Sequence, residues 1–281
     1  MKKVAIQGIA GSFHEDAALR YFDEEIDIIE CKSFRRVCEL IDADKVDIGV
    51  MAIENSIAGS LLNNYALIRD YHLRIIGEIY IHIQLNLMAP EGVERKAIKE
   101  IYSHPVSFQQ CNEYLEQNFP DVKTIELGDN AGVAKYLSEE RITHAAAISN
   151  NRSAEIYGLH ILETGIETNK KNYTRFLILT KHGNITEGTN KASICFEVGH
   201  YYGALASILN IFTEFEINLA KIQSVPIIGK PNEYTIHVDI EWDTLEKYEH
   251  AIHQVLKKVS SLSILGEYKK GEIAINHVNN S

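Results

Sequence analysis

Four short segments place hydroxyl, amide and guanidinium side chains directly beside apolar runs. They lie at residues 8–14, 53–59, 103–110 and 172–176. In an open α/β sheet a ligand binds beyond the carboxyl ends of the strands, so polar side chains at these places are candidates for a binding site. Each segment taken alone is also explained by a turn, a helix cap or a solvated arginine.

The side chains in these segments suit the binding and polarisation of an anion. The glycine turn that ends at Ser12 has backbone N–H groups that can receive a carboxylate. Asn55 and Ser56 follow an apolar strand and offer hydrogen bonds. Thr174 offers a hydroxyl, and Arg175 carries the group best suited to bidentate carboxylate capture.

Ser103 and Gln110 flank the start of a predicted helix. Pro105 stands at a permitted first-turn position, and a separation of seven residues is close to two helical turns. We therefore expect Ser103 and Gln110 to share one face and to touch the same ligand. The alternative is a helix cap followed by a solvated glutamine.

Apolar strands alternate with amphipathic helices through the first 181 residues, which predicts an α/β fold with a largely parallel sheet. The predicted strands are 4–7, 26–30, 48–54, 73–79, 81–88, 124–127, 145–148 and 175–180. The predicted helices are 14–22, 33–41, 60–71, 105–119, 131–137 and 152–157. A polar stretch with two glycines at 182–190 predicts a linker. Residues 191–281 follow the order βαββαβ, which is the ferredoxin-like plan.

Composition argues against several classes of partner. The net charge of −11 disfavours nucleic acid, because phosphate binding needs clustered Lys and Arg. The longest apolar stretch, 79–88, is interrupted by three polar residues and is too short to span a bilayer, so no membrane contact is expected. The first ten residues lack the pattern of a signal peptide. We expect a soluble, cytoplasmic protein.

The four cysteines are widely separated and show no metal-ligand spacing. Cys31, Cys38, Cys111 and Cys195 include no Cys-x-x-Cys pair and have no histidine at ligand intervals. We therefore expect reduced thiols, no zinc site, no disulfide framework and no metal.

Taken together and in order, the polar segments resemble the signature of the prephenate dehydratase family over nearly the whole chain. Four stretches carry this resemblance besides the glycine turn: 53–59 (Ile-Glu-Asn-Ser-Ile-Ala-Gly), 103–111 (Ser-His-Pro-x-x-x-x-Gln-Cys), 146–148 with 157–159, and 172–176 (Asn-x-Thr-Arg-Phe). Ile9, Asn64 and Ala66 depart from the family pattern.

The resemblance implies a substrate, a reaction and roles for individual residues. Prephenate would lose carbon dioxide and water to give phenylpyruvate in phenylalanine biosynthesis, with no cofactor. Thr174 would be the essential threonine that supports the departing hydroxyl. The implied substrate-binding residues are Ser12, Glu54, Asn55, Ser56, Ser103, Gln110 and Arg175.

The resemblance also implies a division into domains. The catalytic domain, 1–181, would have two lobes similar to periplasmic binding proteins of type II. Lobe 1 would hold about 1–79 and 164–181, and lobe 2 about 80–163, with the chain crossing near Tyr80 and returning near Glu163.

The C-terminal unit, 191–281, resembles an ACT regulatory domain. The similar positions are Gly203, Ala204 and Leu205, and then Asn218 with Gln223 and Ser224. The resemblance implies L-phenylalanine as an effector and a homodimer or homotetramer. Gln223 and Val225 replace the charged Glu and Arg of phenylalanine-binding versions, so a unit that serves dimerisation alone is the alternative.

Three other interpretations stay open at this point. Glu54 is a rival proton donor to Thr174 if burial raises its pKa, and His14 and His104 are further donors. Arogenate dehydratase performs the same elimination on the aminated substrate. A sensor that closes on an anion without transforming it is the alternative from outside the enzymes.

Overall fold

The computed structural model describes residues 1–183, 188–199, 201–227, 229–230 and 233–273. Residues 184–187 of the predicted linker and 274–281 of the predicted C-terminal domain lie outside the described residues. Three β-sheets with flanking helices form the described part of the chain, so the α/β prediction is confirmed.

The first sheet collects strands from both ends of the region 1–183. Its members are β1 (Lys2–Gln7), β2 (Ile26–Cys31), β3 (Ile48–Asn55), β4 (Gly59–Ser60), β5 (Arg74–His82) and β11 (Tyr173–Thr180). The order is β2-β1-β3-β11-β5, with β4 paired to β3. β1 is parallel to β2 and β3, but β11 runs antiparallel to β3 and β5, so the largely parallel prediction is wrong here. Three helices accompany this sheet: α1 (Phe13–Tyr21), α2 (Phe34–Asp42) and α3 (Leu62–Asp70).

The second sheet is built from the middle of the chain. Its strands are β6 (Asn86–Pro90), β7 (Glu100–Ser103), β8 (Lys123–Glu126), β9 (Ala145–Ser149) and β10 (Leu159–Glu163), in the order β10-β6-β9-β7-β8. β7 is parallel to β8 and β9, whereas β6 is antiparallel to β9 and β10. Its helices are α4 (Pro105–Gln110), α5 (Asn112–Asn118), α6 (Asn130–Glu139) and α7 (Asn151–Tyr157).

Two adjacent segments connect the first sheet to the second. β5 continues to His82, so the first crossing lies beyond the predicted Tyr80. The returning chain runs beside it: the Ile83 N–H donates to the Asn172 carbonyl at 2.7 Å, and the Ile166 N–H donates to the Leu85 carbonyl at 2.7 Å. The two halves are therefore joined by a paired, narrow connection.

The helix predicted over 105–119 is interrupted at Cys111, where ψ is 11°. The break leaves the Gln110 carbonyl free to accept a hydrogen bond from the Thr168 N–H at 2.8 Å. Because a backbone carbonyl needs a partner, this long-range bond offsets the lost helical one. The end of α4 is thereby tied to the returning connection.

The third sheet has the βαββαβ order that the sequence predicts. It comprises β12 (Lys191–Glu197), α8 (Ala204–Glu214), β13 (Asn218–Pro226), β14 (Tyr234–Glu241), α9 (Leu245–Leu256) and β15 (Ser261–Tyr268), with strand order β13-β14-β12-β15. One face packs on α8 and α9 through Ile194, Phe196 and Val238. The other face carries Cys195 and Leu265, which pack with the first sheet and its helices.

Glycine allows the third sheet to approach the first. An added Cβ at Gly266 of β15 would stand 2.0 Å from the carbonyl oxygen of Ile75 in β5. Any larger residue would force the two strands apart. The close contact makes the C-terminal unit a third layer against the back of the first sheet.

Candidate active site

A cavity of about 640 Å³ lies between the ends of the first and second sheets. Four of the predicted site residues line it, namely Ser12, Asn55, Gln110 and Thr174. They come from the cap of α1, from β3, from α4 and from β11, so residues from both halves meet at one cavity. His14, Lys32, His104, Ser107, Asp129 and Asn130 add further polar groups to its lining.

A row of amide side chains runs from one half of the cleft to the other. The Asn172 Nδ2 donates to Gln110 Oε1 at 3.0 Å, and the Asn55 Nδ2 donates to Asn172 Oδ1 at 2.7 Å. The Asn55 Nδ2 also donates to Thr174 Oγ1 at 3.0 Å. All four side chains are buried, so their mutual hydrogen bonds hold each of them in one orientation.

The hydroxyl of Thr174 is prepared to donate. Its oxygen accepts from Asn55, and among the hydrogen bonds of the described residues it has no acceptor for its own proton. A hydroxyl has one proton and two lone pairs, so that proton is free for a ligand in the cavity. The side chain is 9% exposed, which keeps this donor in a largely dry environment.

The glycine turn before α1 is held by the second half. Gly11 has φ +87°, and an added Cβ would stand 3.1 Å from the Cα of Ser153. The Gly11 carbonyl accepts from Ser153 Oγ and from Asn150 Nδ2, both at 2.9 Å. Ser12 caps α1 by accepting from the Glu15 N–H at 3.3 Å. The turn thus forms one wall of the cavity and a contact between the halves.

Two of the predicted serines have structural partners instead of facing the cavity. Ser103 is fully buried at the end of β7 and donates to the Ile148 carbonyl at 3.0 Å. It precedes the helix, which starts at Pro105, so the expectation that it shares a helical face with Gln110 is wrong. Ser56 donates to the Lys171 carbonyl at 3.1 Å and tethers the loop after β3.

Arg175 points away from the cavity, which corrects its predicted role as a carboxylate ligand. Successive side chains of a strand lie on opposite faces, and Thr174 takes the cavity face. The Arg175 guanidinium is buried against the third sheet, where it binds Asp239 and contacts the Tyr268 hydroxyl at 3.0 Å. Its Nε donates to Glu78 at 2.6 Å.

Charge balance makes this buried cluster stable. Burial alone would raise the pKa of the Asp239 carboxyl, but the Arg175 guanidinium holds it below its usual value. Burial opposes the charge of Arg175, yet Asp239 keeps the guanidinium pKa above its usual value. Lys191 adds a second cation at 3.0 Å from Glu78. Arg175 is therefore occupied by partners and cannot receive a substrate.

The Glu54 carboxylate lies outside the cavity. This position corrects the predicted contact of Glu54 with the substrate and its predicted role as a rival acid. Its carboxylate pairs with Lys221 of β13 at 2.7 Å, on the side that faces the third sheet. Lys221 also donates to Ser60 Oγ at 3.0 Å. The Glu54 carboxylate is therefore occupied by an ion pair with the third sheet.

Two histidines line the cavity in neutral form. Burial lowers the pKa of His14 to about 3, and its Nε2 accepts from the Ala52 N–H at 3.3 Å. Burial also lowers the pKa of His104, whose Nδ1 accepts from the Val106 N–H at 3.2 Å. Each neutral ring therefore has one remaining N–H, on Nδ1 of His14 and on Nε2 of His104. Near neutral pH neither ring supplies positive charge to the cavity.

Lys32 and Asn130 are cavity residues that the sequence reasoning missed. Lys32 is exposed, follows β2 directly and is the one cationic side chain among the described residues that line the cavity. No ion-pair partner of Lys32 occurs among the described residues. Asn130 follows β8 and accepts hydrogen bonds from the His104 N–H and Ser107 Oγ. The sequence signal for Lys32 and Asn130 as site residues was that each follows the end of a predicted strand.

The predicted regulatory residues lie along two elements of the C-terminal unit. Gly203, Ala204 and Leu205 stand at the start of α8. Asn218 opens β13 and donates to Glu241 at 3.3 Å, while Gln223 and Ser224 follow on the same strand. β13 is an edge strand of the third sheet.

Two features are absent from the described part of the chain. Within the described ranges, no group of three or more His, Cys, Asp or Glu side chains is arranged to hold a metal ion. No helix in the described part of the chain has the length and apolar character needed to cross a membrane.

Comparison with known proteins places the chain in a family. Residues 4–184 match the family model described as prephenate dehydratase. The chain is 33% identical over 270 residues to a bifunctional chorismate mutase/prephenate dehydratase of Aquifex aeolicus, covering 95% of this chain and 74% of that protein. It is 32% identical over 279 residues to arogenate dehydratase/prephenate dehydratase 2, chloroplastic, of Arabidopsis thaliana, covering 95% and 72%.

A solved structure agrees with the relatives. Prephenate dehydratase from Arthrobacter aurescens in complex with L-Phe shares the fold with a TM-score of 0.84 and 25% identity, covering 95% of this chain and 90% of that chain. The chain is thus a dehydratase, which is a lyase. The chain belongs to the prephenate dehydratase family.

Proposed function

We propose that the protein converts prephenate to phenylpyruvate in phenylalanine biosynthesis. The bond between the ring and its carboxylate breaks and releases carbon dioxide, and the electron pair enters the ring. The ring then expels its hydroxyl group, which takes up a proton and leaves as water. The Thr174 hydroxyl, which lines the cavity and has no acceptor among the hydrogen bonds of the described residues, is the observation that carries this proposal.

Thr174 stabilises the oxygen that departs. A donor that is already oriented stabilises developing negative charge without reorganisation, and its effect is larger in a dry site. Threonine is a weak acid, so it supports the leaving hydroxide while a water or a neutral histidine N–H relays the proton. Asn55 holds the threonine, and Gln110 holds Asn172 from the opposite half.

Conversion of prephenate is the direct test. The purified protein is mixed with prephenate and with arogenate, and the formation of phenylpyruvate and of phenylalanine is followed. We expect turnover of prephenate. Turnover of arogenate alone would make the chain an arogenate dehydratase, and binding of both without product would make it a sensor.

Lys32 is proposed to hold the carboxylate that the product retains, in place of Arg175. A dianionic substrate needs a cation, and the two cavity histidines are neutral. We expect Lys32→Gln to raise KM about tenfold to 100-fold with a smaller change in kcat, because losing a hydrogen bond to a charged group costs about 1.5–3 kcal/mol. Lys45→Gln, at an exposed lysine beyond the other end of α2, is the control. An unchanged KM in Lys32→Gln would remove this lysine from the site.

Residues 1–181 form the catalytic domain in this proposal, with lobe 2 between the two connections, and residues 191–281 form an ACT domain. The βαββαβ order of the C-terminal unit and its contact with the first sheet support a regulatory role. The ACT assignment implies phenylalanine as effector.

Titration of the protein with phenylalanine should release heat, and phenylalanine should lower the rate of prephenate turnover. If no heat is released and the kinetics are unchanged, the C-terminal unit serves dimerisation alone.

We propose that the homodimer or homotetramer assembles through the edge of the third sheet. An edge strand presents unpaired N–H and C=O groups, which readily pair with another chain. Ile222 is an exposed apolar side chain on this edge strand. Sedimentation of the full chain measures the assembly.

A further inference from the structure

Thr174 and Arg175 are consecutive residues with opposite surroundings. The Thr174 side chain lines the cavity, whereas the Arg175 side chain is 4% exposed and lies against the third sheet. Because the two share a peptide unit, a rotation of β11 that moves the guanidinium also moves the hydroxyl. The position of the hydroxyl is therefore sensitive to what holds the guanidinium.

The pairing of β11 with β3 is irregular beside Thr174, whereas its pairing with β5 is even from Tyr173 to Ile178. Arg175 pairs with Glu54 of β3, but Phe176 pairs with Ala52, so Ile53 is an extra residue on the partner strand. A β-bulge disrupts the local ladder and bends the strand that carries the extra residue, which here is β3. On the β3 side, the hydrogen bonds of the sheet therefore constrain the twist beside Thr174 less than an even ladder would.

The third sheet adds a constraint through the Arg175 side chain. Asp239 of β14 binds the Arg175 guanidinium, and the Tyr268 hydroxyl of β15 accepts from it at 3.0 Å. Asp239 is itself held by a hydrogen bond from Ser193 Oγ of β12. These groups are all at most 5% exposed, so a single arrangement of side chains satisfies every buried charge.

We infer that Asp239 is a positioning residue for Thr174: from the C-terminal unit, and acting through Arg175, it sets the direction of the hydroxyl in the cavity. This inference rests on the proposed function, since it concerns the same threonine and the same reaction. The C-terminal unit then has two roles: it helps to form the active site, and it binds any effector.

A double-mutant cycle in the full chain tests the inference. We expect Asp239→Asn to lower kcat for prephenate by about tenfold to 100-fold with little change in KM, since a displacement of about 1 Å costs on the order of 100-fold. In the Thr174→Ala background the same substitution should cost nothing further, because the group through which it acts is gone. An equal loss in both backgrounds, or an unchanged kcat, would overturn the inference.

Two further variants separate positioning from loss of folding. Tyr268→Phe removes one acceptor from Arg175 and keeps the charges, so it should lower kcat less than Asp239→Asn and again only when Thr174 is present. Arg74→Gln removes a different contact across the same interface, the one to the Ile264 carbonyl, and should leave kcat unchanged. If the unsubstituted protein formed no product from prephenate or arogenate, the proposed function would fail instead.

Discussion

Thr174→Ala should lower kcat for prephenate by about 100-fold to 1000-fold, which is the usual cost of removing one preorganised donor to a developing negative charge. KM should change little, because the hydroxyl acts mainly when the carbon–oxygen bond breaks. The measurement is steady-state formation of phenylpyruvate by the two proteins at equal concentration.

Thr174→Ser is the matched control, since it keeps the hydroxyl that accepts from Asn55 and should retain most of the turnover. Unfolding curves establish that all three proteins are folded at the assay temperature. Turnover of the alanine variant close to that of the parent would exclude the threonine from the chemistry and shift attention to the N–H groups of His14 and His104.

Arg175→Met should lower the free energy of unfolding by about 3–5 kcal/mol, because it leaves a buried carboxylate without its cation. Glu78 keeps Lys191, but Asp239 keeps only hydrogen bonds such as the one from Ser193. Urea denaturation of the full chain measures the loss. As a control, Arg20→Met removes an exposed ion pair with Asp16 and should cost less than about 1 kcal/mol.

The loss of unfolding free energy in Arg175→Met should depend on pH in one direction. In the parent protein the pKa of Asp239 is below its usual value, so its pairing stabilises the fold at neutral pH and is lost on strong acidification. In Arg175→Met the lone carboxyl takes up a proton at a higher pH in the folded state. The difference in unfolding free energy between the parent and Arg175→Met should therefore become smaller as the pH falls from 8 towards 5. A difference that is constant over this range would contradict the pairing of Asp239 with Arg175.

The elements and the cavity residues were predictable to different degrees. Asn55 follows from the rule that polar side chains at the carboxyl ends of parallel strands meet at one edge of a sheet. Thr174 lies near the amino end of β11 and reaches the same edge because β11 is antiparallel, which the sequence did not predict. The same rule applied to β2 and β8 would have found Lys32 and Asn130. The sequence therefore carried the signal for both residues.

Other features depend on contacts between distant parts of the chain. Strand alternation alone separates the direction of Arg175 from that of Thr174, but nothing local identifies Asp239, 64 residues later, as the partner. The end of α4 at Gln110 is likewise stabilised by the Thr168 N–H, which lies 58 positions further along the chain. Helical periodicity continues through Cys111 and could not show the break.

The hydrogen bond between Asn172 and Gln110 also bears on how substitutions in the row should combine. Both residues are fixed to the paired connection between the halves, Gln110 through the Thr168 N–H and Asn172 through the Ile83 N–H. Groups in one buried hydrogen-bonded network depend on each other, so the effects of substitutions at Gln110 and Asn55 should not add. A change at the end of α4 is therefore expected to reach Thr174 without touching it.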